Sequence, residues 1–355
     1  MILLVAPSPG ELTSGGYLYN EYIASRLPKE RFDYRFVDAP EQLYRLPEQL
    51  KLGQGDSVLV DSLFFHHPAA VERLAGSFGG HLWMLIHCLP SSDPTLPKRE
   101  IDEWKARERR CLSFCEGAVV TGKATEHALN GKKLLNGPCT VAAPGLDRRL
   151  FFSEQGRGKP SPGDVLQLLT VANWTSLKNH AAMLPVLSDV FSSVEYVREG
   201  KGWLWSIIGK CDEEGELCGS FMRKAEEMGI RGKIELLATQ PVEEVARLTR
   251  SADIFLHPSL MESYGMSIAE AMASGCVVIA GRNQGTAELI RDGEDGILCD
   301  THDYKEWRNA LHRLMSSPEE YRRMSEAAVR SADVLPSWED TAQILLQAVE
   351  GSKAR

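Results

Sequence analysis

The sequence predicts an α/β protein made of two doubly wound, Rossmann-like parallel sheets, and three observations predict it. Short apolar runs bounded by turn residues alternate with segments of helical period along the whole chain, the pattern of parallel strands joined by crossover helices. The chain has 355 residues, long for one hydrophobic core and ordinary for two. Near its middle, SEQGRGKPSPGD at 153–164 is rich in Gly, Pro and Ser, has no period, and reads as a linker.

Taken in order, the first half places strands at 2–6 (ILLVA), 34–39 (YRFVDA), 57–62 (SVLVDS), 82–87 (LWMLIH), 117–122 (GAVVTG) and 139–143 (CTVAA). The second half repeats the pattern at 166–172 (LQLLTVA), 203–209 (WLWSIIG), 233–237 (KIELL), 252–257 (ADIFLH), 276–280 (CVVIA) and 296–299 (GILC). After Asp300 the chain turns helical, from YKEWRNALHRLM to SWEDTAQILLQAVE. The boundaries that follow are a first domain at 1–152, the linker at 153–164, a second domain at 165–335, and a last helix at 336–355 free to cross back to the first domain. No sequence repeat relates the halves, although their architecture reads the same. Sheets of this kind bind ligands beyond the carboxyl ends of their strands, so two of them are expected to face each other across one cleft.

Composition narrows the partners. Apolar residues make up 43% and charged residues 25% of the chain, ordinary globular values. The net charge is −9 with the basic residues scattered, which argues against nucleic acid, since a phosphate backbone requires a basic face. Peripheral contact with a membrane surface stays open. The first apolar run, Ile2 to Ala6 before Pro7, is too short for a signal peptide or a spanning helix, and a cytoplasmic location is expected. The eight cysteines form no C-x-x-C pair or zinc-like spacing and read as free thiols suited to a reducing compartment.

Several phosphate and catalytic signatures are missing from the sequence. It contains no G-x-G-x-x-G after a strand, no G-K-[ST], no G-x-S-x-G and no H-E-x-x-H, which removes the dinucleotide, Walker-loop, nucleophile-elbow and zinc-protease readings. No Asp-x-Asp occurs either, so no acidic pair presents itself to hold a divalent ion on a diphosphate, and neither a metal nor a cofactor is expected.

One stretch does carry chemistry: HPSLMESYGMSIAEAMASG, residues 257–275. A strand ends near His257, a loop follows, and a helix is expected from about Gly265 to Gly275. Ser263, Tyr264, Gly265 and Met266 then lie at a helix N-terminus, whose unpaired N–H groups and partial positive charge attract anions. Glu262 stands on the lip of that loop and Glu270 about one turn inside the helix. Carboxylates beside a bound phosphate repel it unless hydroxyl donors engage them. The pair therefore suits a ligand with sugar, diphosphate and ribose in line, a nucleotide sugar; the competing reading of Glu270 is a solvated helix residue.

The stretch MESYGMSIAEAMASGCVVIAGRNQGTAELIRDGEDGILCD resembles the signature region of the retaining glycosyltransferase family 4, with its E-x7-E spacing inside E-[GS]-[FY]-G-x-x-x-x-E-A-x-A-x-G. The likeness covers most of the second half and is fainter in the first, where TSGGYLYNEYIASRL, LIHCLP and VAAPGLDRRLF follow the family's order of landmarks. It implies the two-domain GT-B fold. It implies that Glu262 holds hydroxyls of the donor sugar, Glu270 the ribose, and Ser263 to Met266 the diphosphate through backbone contacts. Lys178, in VANWTSLKNH, stands where the family has its diphosphate-binding lysine, and a point charge there suits neutralisation of the leaving oxygen. The family usually has Arg where this chain has Asn173, which leaves one donor charge to be found elsewhere. Gly209, Leu237 and Ala238 match segments that embrace the nucleoside base. In the first domain, Gly15 and Gly16 open a helix after the first strand and could bring backbone amides to the phosphate, though a turn alone also explains them. His87 matches a position beside donor sugar or acceptor, with a purely structural strand-end histidine as the competing reading.

The implied function is metal-independent, retaining transfer of a hexose from a nucleoside diphosphate sugar to an acceptor hydroxyl. No residue reads as a dedicated nucleophile. The resemblance implies front-face attack, with Glu262, Lys178 and His87 as the catalytic set. Two alternatives stand beside it: a phosphorylase-like GT-B enzyme, and a non-catalytic nucleotide-sugar-binding or partner subunit. Base, sugar and acceptor are not legible, because variable loops read them.

Overall fold

Strands covered on both faces read as unbroken apolar runs, and every run named above forms a strand. The computed structural model describes residues 1–8, 14–152, 165–192, 202–211 and 215–351; the linker at 153–164 lies outside them. The strands are β1 (Ile2–Pro7), β2 (Phe32–Val37), β3 (Ser57–Asp61), β4 (His81–Ile86), β5 (Gly117–Val120), β6 (Cys139–Val141), β7 (Val165–Val171), β8 (Gly202–Ile208), β9 (Ile234–Leu237), β10 (Ile254–His257), β11 (Val277–Gly281) and β12 (Ile297–Cys299).

The chain divides into two compact units, Met1–Gly145 with Pro336–Arg355, and Leu146–Leu335. Each holds one six-stranded sheet, ordered β2-β1-β3-β4-β5-β6 in the first and β12-β11-β10-β7-β8-β9 in the second. The pairings are parallel. In the first sheet Ile2 lies opposite Phe32 and Ser57, and in the second Ile254 lies opposite Val277 and Leu168. Strand order reverses between β1 and β3 in one sheet and between β7 and β10 in the other. At such switch points neighbouring crossovers leave to opposite faces and open a crevice at the carboxyl ends of the strands.

The first core packs Leu3, Val5, Val58, Val60, Met84 and Ile86 under the helices, and the second packs Leu168, Trp205, Ile207, Ile254, Leu256 and Ile279. Each fully buried side chain of this kind contributes about 1.5–3 kcal/mol.

Two sequence expectations change. The short helix Arg148–Phe151, assigned to the first domain on sequence, belongs to the second unit: Ser274 Oγ donates to Phe151 O at 2.8 Å, and Arg250 donates to Leu150 O. Cys211 and Cys218 form a disulfide, against the expectation of free thiols throughout. Cys211 lies just after β8 and Cys218 on the helix Glu216–Glu227, with their Cα atoms 6.1 Å apart, a separation a disulfide spans. The reducing-compartment reading loses the support drawn from unpaired cysteines.

The last helix, Trp338–Gly351, packs in the first unit. Ser337 and Asp340 cap it reciprocally, Asp340 N donating to Ser337 Oγ at 3.2 Å and Ser337 N to Asp340 Oδ2 at 2.9 Å, a capping box with Asp in the usual Glu place. Thr341 Oγ1 donates to Ala143 O at 2.7 Å, and the Trp338 ring stacks on Tyr22 at 4.6 Å. Among the described residues no helix is long and apolar enough to cross a membrane.

Candidate active site

The switch point of the second unit brings together Lys178 and Glu262, two of the residues singled out on sequence. After β7 the chain makes a tight turn, Ser176–Lys178, and Asn179 adopts a left-handed conformation at φ 51°, one that Asn tolerates better than most residues. After β10 it runs through Pro258 to Gly265. The two loops are stapled where Leu260 N donates to Leu177 O at 2.8 Å and Ser259 Oγ to the same carbonyl at 3.2 Å. The staple sets Lys178 beside Glu262. Lys178 Nζ is 2.5 Å from Glu262 Oε1, and His257 Nε2 is 2.6 Å from the same oxygen. The Glu262 backbone is fixed as well, its N–H donating to Asn283 Oδ1 at 3.3 Å. A Cβ at Gly285 would meet Glu262 O at 2.2 Å, so only glycine lets that segment pass.

The two glutamates are electrostatic opposites. Burial alone would raise the Glu262 carboxyl, but Lys178 and His257 outweigh it and hold it well below the usual carboxylate range. Glu270 has no such partner: burial first, then the charge of Asp147, pushes it up to about 8. Among the described residues no hydrogen bond or ion pair links the Glu270 side chain to Lys178 or Glu262. His180, buried edge-on to Trp174, is pushed down to about 3 by burial, then by His257 and Lys178, and stays neutral.

Gly265 caps the helix Met266–Ala273 with φ 101° and ψ 59°, a left-handed region that only glycine enters cheaply. Ile268 N and Ala269 N already donate to Gly265 O, at 3.0 and 3.2 Å. The N–H groups of Ser263, Tyr264, Gly265 and Met266 donate to no other described residue, which suits an anion. The Tyr264 side chain packs inward, 6% exposed, leaving its backbone as the functional part.

Asn173, the departure from the usual Arg, accepts from Lys210 N at 3.0 Å through Oδ1 and so ties the ends of β7 and β8 together. Gly209 is explained by packing: a Cβ there would meet Ala172 O at 2.1 Å. Its N–H donates to Leu237 O at 3.1 Å. Ala238, exposed, follows at the end of β9.

The first unit has its own polar cluster at its switch point. The helix Gly15–Arg26 begins at the glycine pair, and a Cβ on Gly16 would meet His87 Cδ2 at 2.9 Å, so the helix start packs on the His87 ring. His87 Nε2 lies 3.2 Å from Asn20 Oδ1 and 3.2 Å from Asp61 Oδ2. Both are acceptors, because Asn20 Nδ2 itself donates to Asp61 Oδ2 at 2.7 Å. Both acceptors therefore call for a proton on Nε2. Asp61 is 0% exposed and also accepts from Leu63 N at 2.8 Å.

Sequence reading missed His257, Asn283 and Gly285 around Glu262, and Asn20 and Asp61 around His87. A signal existed for His257 and Asp61, each a titratable residue ending an otherwise apolar strand.

Two Rossmann-like units with these strand orders define the GT-B architecture. The sequence profile described as "Glycosyl transferases group 1" matches residues 152–331, just over half of the chain, and the chain belongs to that family. It is similar to a D-inositol 3-phosphate glycosyltransferase of Thermomonospora curvata, 30% identical over 224 residues, 60% of this chain and 51% of the relative. A protein of the same description from Corynebacterium glutamicum is 39% identical over 123 residues, 35% of this chain and 29% of its own length. The chain thus spans about half or less of the curated relatives it matches. Among solved structures it is similar to sucrose-phosphate synthase from Thermosynechococcus elongatus, with TM-score 0.81, 16% identity and 99% of both chains covered. It is similar also to Anabaena HepE in complex with UDP-glucose, with TM-score 0.76, 14% identity and 99% of both chains covered. At these identities the structural likeness is one of fold.

Proposed function

We propose that the chain is a retaining, metal-independent glycosyltransferase that moves a hexose from a nucleoside diphosphate sugar to an acceptor hydroxyl. The observation that carries this reading is the meeting at one switch point of Lys178, Glu262 and the N–H groups of Ser263 to Met266, which donate to no described residue: a cation, a carboxylate and a helix end suited to an anion. Membership of the group 1 family supports it, and HepE, crystallised with UDP-glucose, makes UDP-sugars the first donors to try.

On this reading the diphosphate sits against the helix end and Lys178, which stabilise the charge growing on the leaving oxygen. Glu262 orients the sugar through its hydroxyls and Glu270 takes the ribose. With its carboxyl pushed up to about 8, Glu270 meets the nucleoside largely protonated at neutral pH, able both to donate and to accept. The acceptor, held mainly by the first unit around His87, attacks from the face the phosphate leaves, and the departing phosphate oxygen takes its proton. Metal independence rests on the sequence, which lacks an acidic pair for a diphosphate-bound ion. A cytoplasmic location is part of the same proposal.

A panel of nucleotide sugars, incubated with the protein in EDTA, tests it. Release of the nucleoside diphosphate is expected, with retained anomeric configuration in the product. An absolute requirement for Mn²⁺ or Mg²⁺ would overturn metal independence. One observation favours a second reading, a nucleotide-sugar-binding subunit without turnover: Asn173 commits its side-chain oxygen to Lys210 N and supplies no charge. Tight binding of a donor without release of nucleotide would select that reading.

A further inference from the structure

Glu262 accepts two side-chain hydrogen bonds, and both land on one oxygen. Lys178 Nζ and His257 Nε2 lie 2.5 and 2.6 Å from Oε1, and no described residue bonds Oε2. The two donors differ in kind. Lys178 stands on a turn, its side chain 25% exposed, on a flexible four-carbon stem. His257 is the last residue of β10, 2% exposed, in register with Ala280 and with its ring parallel to that of Phe255 at 6.0 Å. One donor is free to turn; the other is built into the sheet.

The difference acquires meaning on the functional reading above, on which this inference rests. A lysine clamped on a carboxylate cannot give its full charge to an incoming diphosphate, so carboxylate and phosphate compete for it. When Lys178 turns to the phosphate, Glu262 loses one of its two side-chain anchors. We propose that His257 is a positioning residue of the donor site: it holds Glu262 through Oε1 with and without donor, so that Lys178 exchanges carboxylate for phosphate while Oε2 stays available to a sugar hydroxyl. His257 itself touches no substrate and acts through Glu262.

Two variants separate positioning from packing. In His257→Phe the ring is kept and the N–H lost; in His257→Gln an amide N–H reaches for the same oxygen. With the donor the wild type turns over, His257→Phe is expected to lower kcat about 10²-fold, the scale of a misplaced reacting group. Affinity for the nucleoside diphosphate alone, which Lys178 and the helix end govern, should stay within about threefold, and His257→Gln should recover most of kcat. A folded His257→Phe with kcat within about twofold of wild type, or a His257→Gln no better than His257→Phe, overturns the inference.

A second measurement needs no substrate. Melting temperatures of His257→Phe, Glu262→Leu and the double variant should be non-additive, the double losing little beyond the worse single; additive shifts overturn the inference. If His257→Phe does not fold, His257→Asn, too short to reach Oε1, takes its place in the cycle. A wild type that releases nucleotide from no donor sinks the functional reading alone, and the stability cycle still decides whether His257 holds Glu262.

Discussion

At Glu262 burial and pairing pull in opposite directions, and pairing wins; at Glu270 nothing opposes burial. The consequence for Lys178 is direct. Lys178→Met removes the positive charge proposed to reach the leaving oxygen, and turnover should fall about 10²- to 10³-fold, the range for losing one charge-stabilising donor. The melting temperature should move far less, because His257 still holds the carboxylate; a steady-state assay beside a thermal scan checks both. For Glu270 the ordinary carboxyl value of 4.5 rises to about 8 on folding. The folded state therefore holds its proton more tightly, and the stability this contributes is full below about pH 4.5 and lost as pH rises through about 8. Glu270→Gln, which cannot ionise, should melt higher than wild type above pH 8 by at least about 2 °C, the shift one kcal/mol gives a domain of this size. Because an amide, like the protonated acid, both donates and accepts, the same change should leave donor binding near wild type at neutral pH. A Glu270→Gln protein that gains no thermal stability at alkaline pH would show that the carboxyl ionises without cost.

Among elements, the helix Met266–Ala273 and the closing ends of β7 and β8 both depend on a glycine, for different reasons. Gly265 is needed for its left-handed backbone, and the atom nearest its Cβ position is the flexible tip of Ile268, Cδ1 at 3.0 Å. Gly265→Ala should therefore cost about 1–2 kcal/mol, the penalty of that conformation for an L-residue, and should weaken donor binding by re-aiming the N–H groups before it. Gly209→Ala meets backbone, Ala172 O at 2.1 Å, which no rotamer change relieves. It should destabilise more, by about 3 kcal/mol, at the upper end for overpacking. Urea unfolding of both variants checks the order, and the reverse order would mean that the β7 and β8 ends give way more easily than the helix start. These glycines also show where sequence reading stops. Both were legible as glycines in ligand-binding loops, but each is already required by the fold, so their identity alone does not separate binding from folding. The strands were legible because parallel strands covered on both faces are unbroken apolar runs. The Lys178–Glu262–His257 contact was not, because it depends on Ser259 and Leu260 being stapled to the Leu177 carbonyl, which lies 82 residues before Ser259 in the chain.

For the molecule as a whole, the last helix is the part whose placement the sequence left open. Its apolar stripe, Trp338, Ala342, Leu345, Leu346 and Val349, fits any helix-sized groove, and nothing local names the partner. The structure supplies the reason for its place in the first unit: the chain passes Gly145, where a Cβ would meet Trp338 N at 2.3 Å, and Trp338 then fills the space against Tyr19 and Tyr22. Tyr19 in turn donates its hydroxyl to Ala142 O at 2.9 Å and packs edge-on to His87 at 5.3 Å. Trp338 is thus one contact removed from the His87 and Asp61 cluster, and its loss should be felt there. Trp338→Ala should cost about 3–5 kcal/mol, the range for deleting a large buried aromatic. Because the contacts that Trp338 makes lie in the first unit, the loss should be local. In hydrogen exchange, the amides of β1 and of the helix Gly15–Arg26 should lose protection, while those of β7 and β10 keep theirs. Turnover should fall through the disturbed His87 side while affinity for the nucleoside diphosphate alone, proposed to belong to the second unit, holds. Equal loss of protection in both sheets would contradict the assignment of Pro336–Arg355 to the first unit, and equal loss of diphosphate affinity would contradict the division of labour between the two.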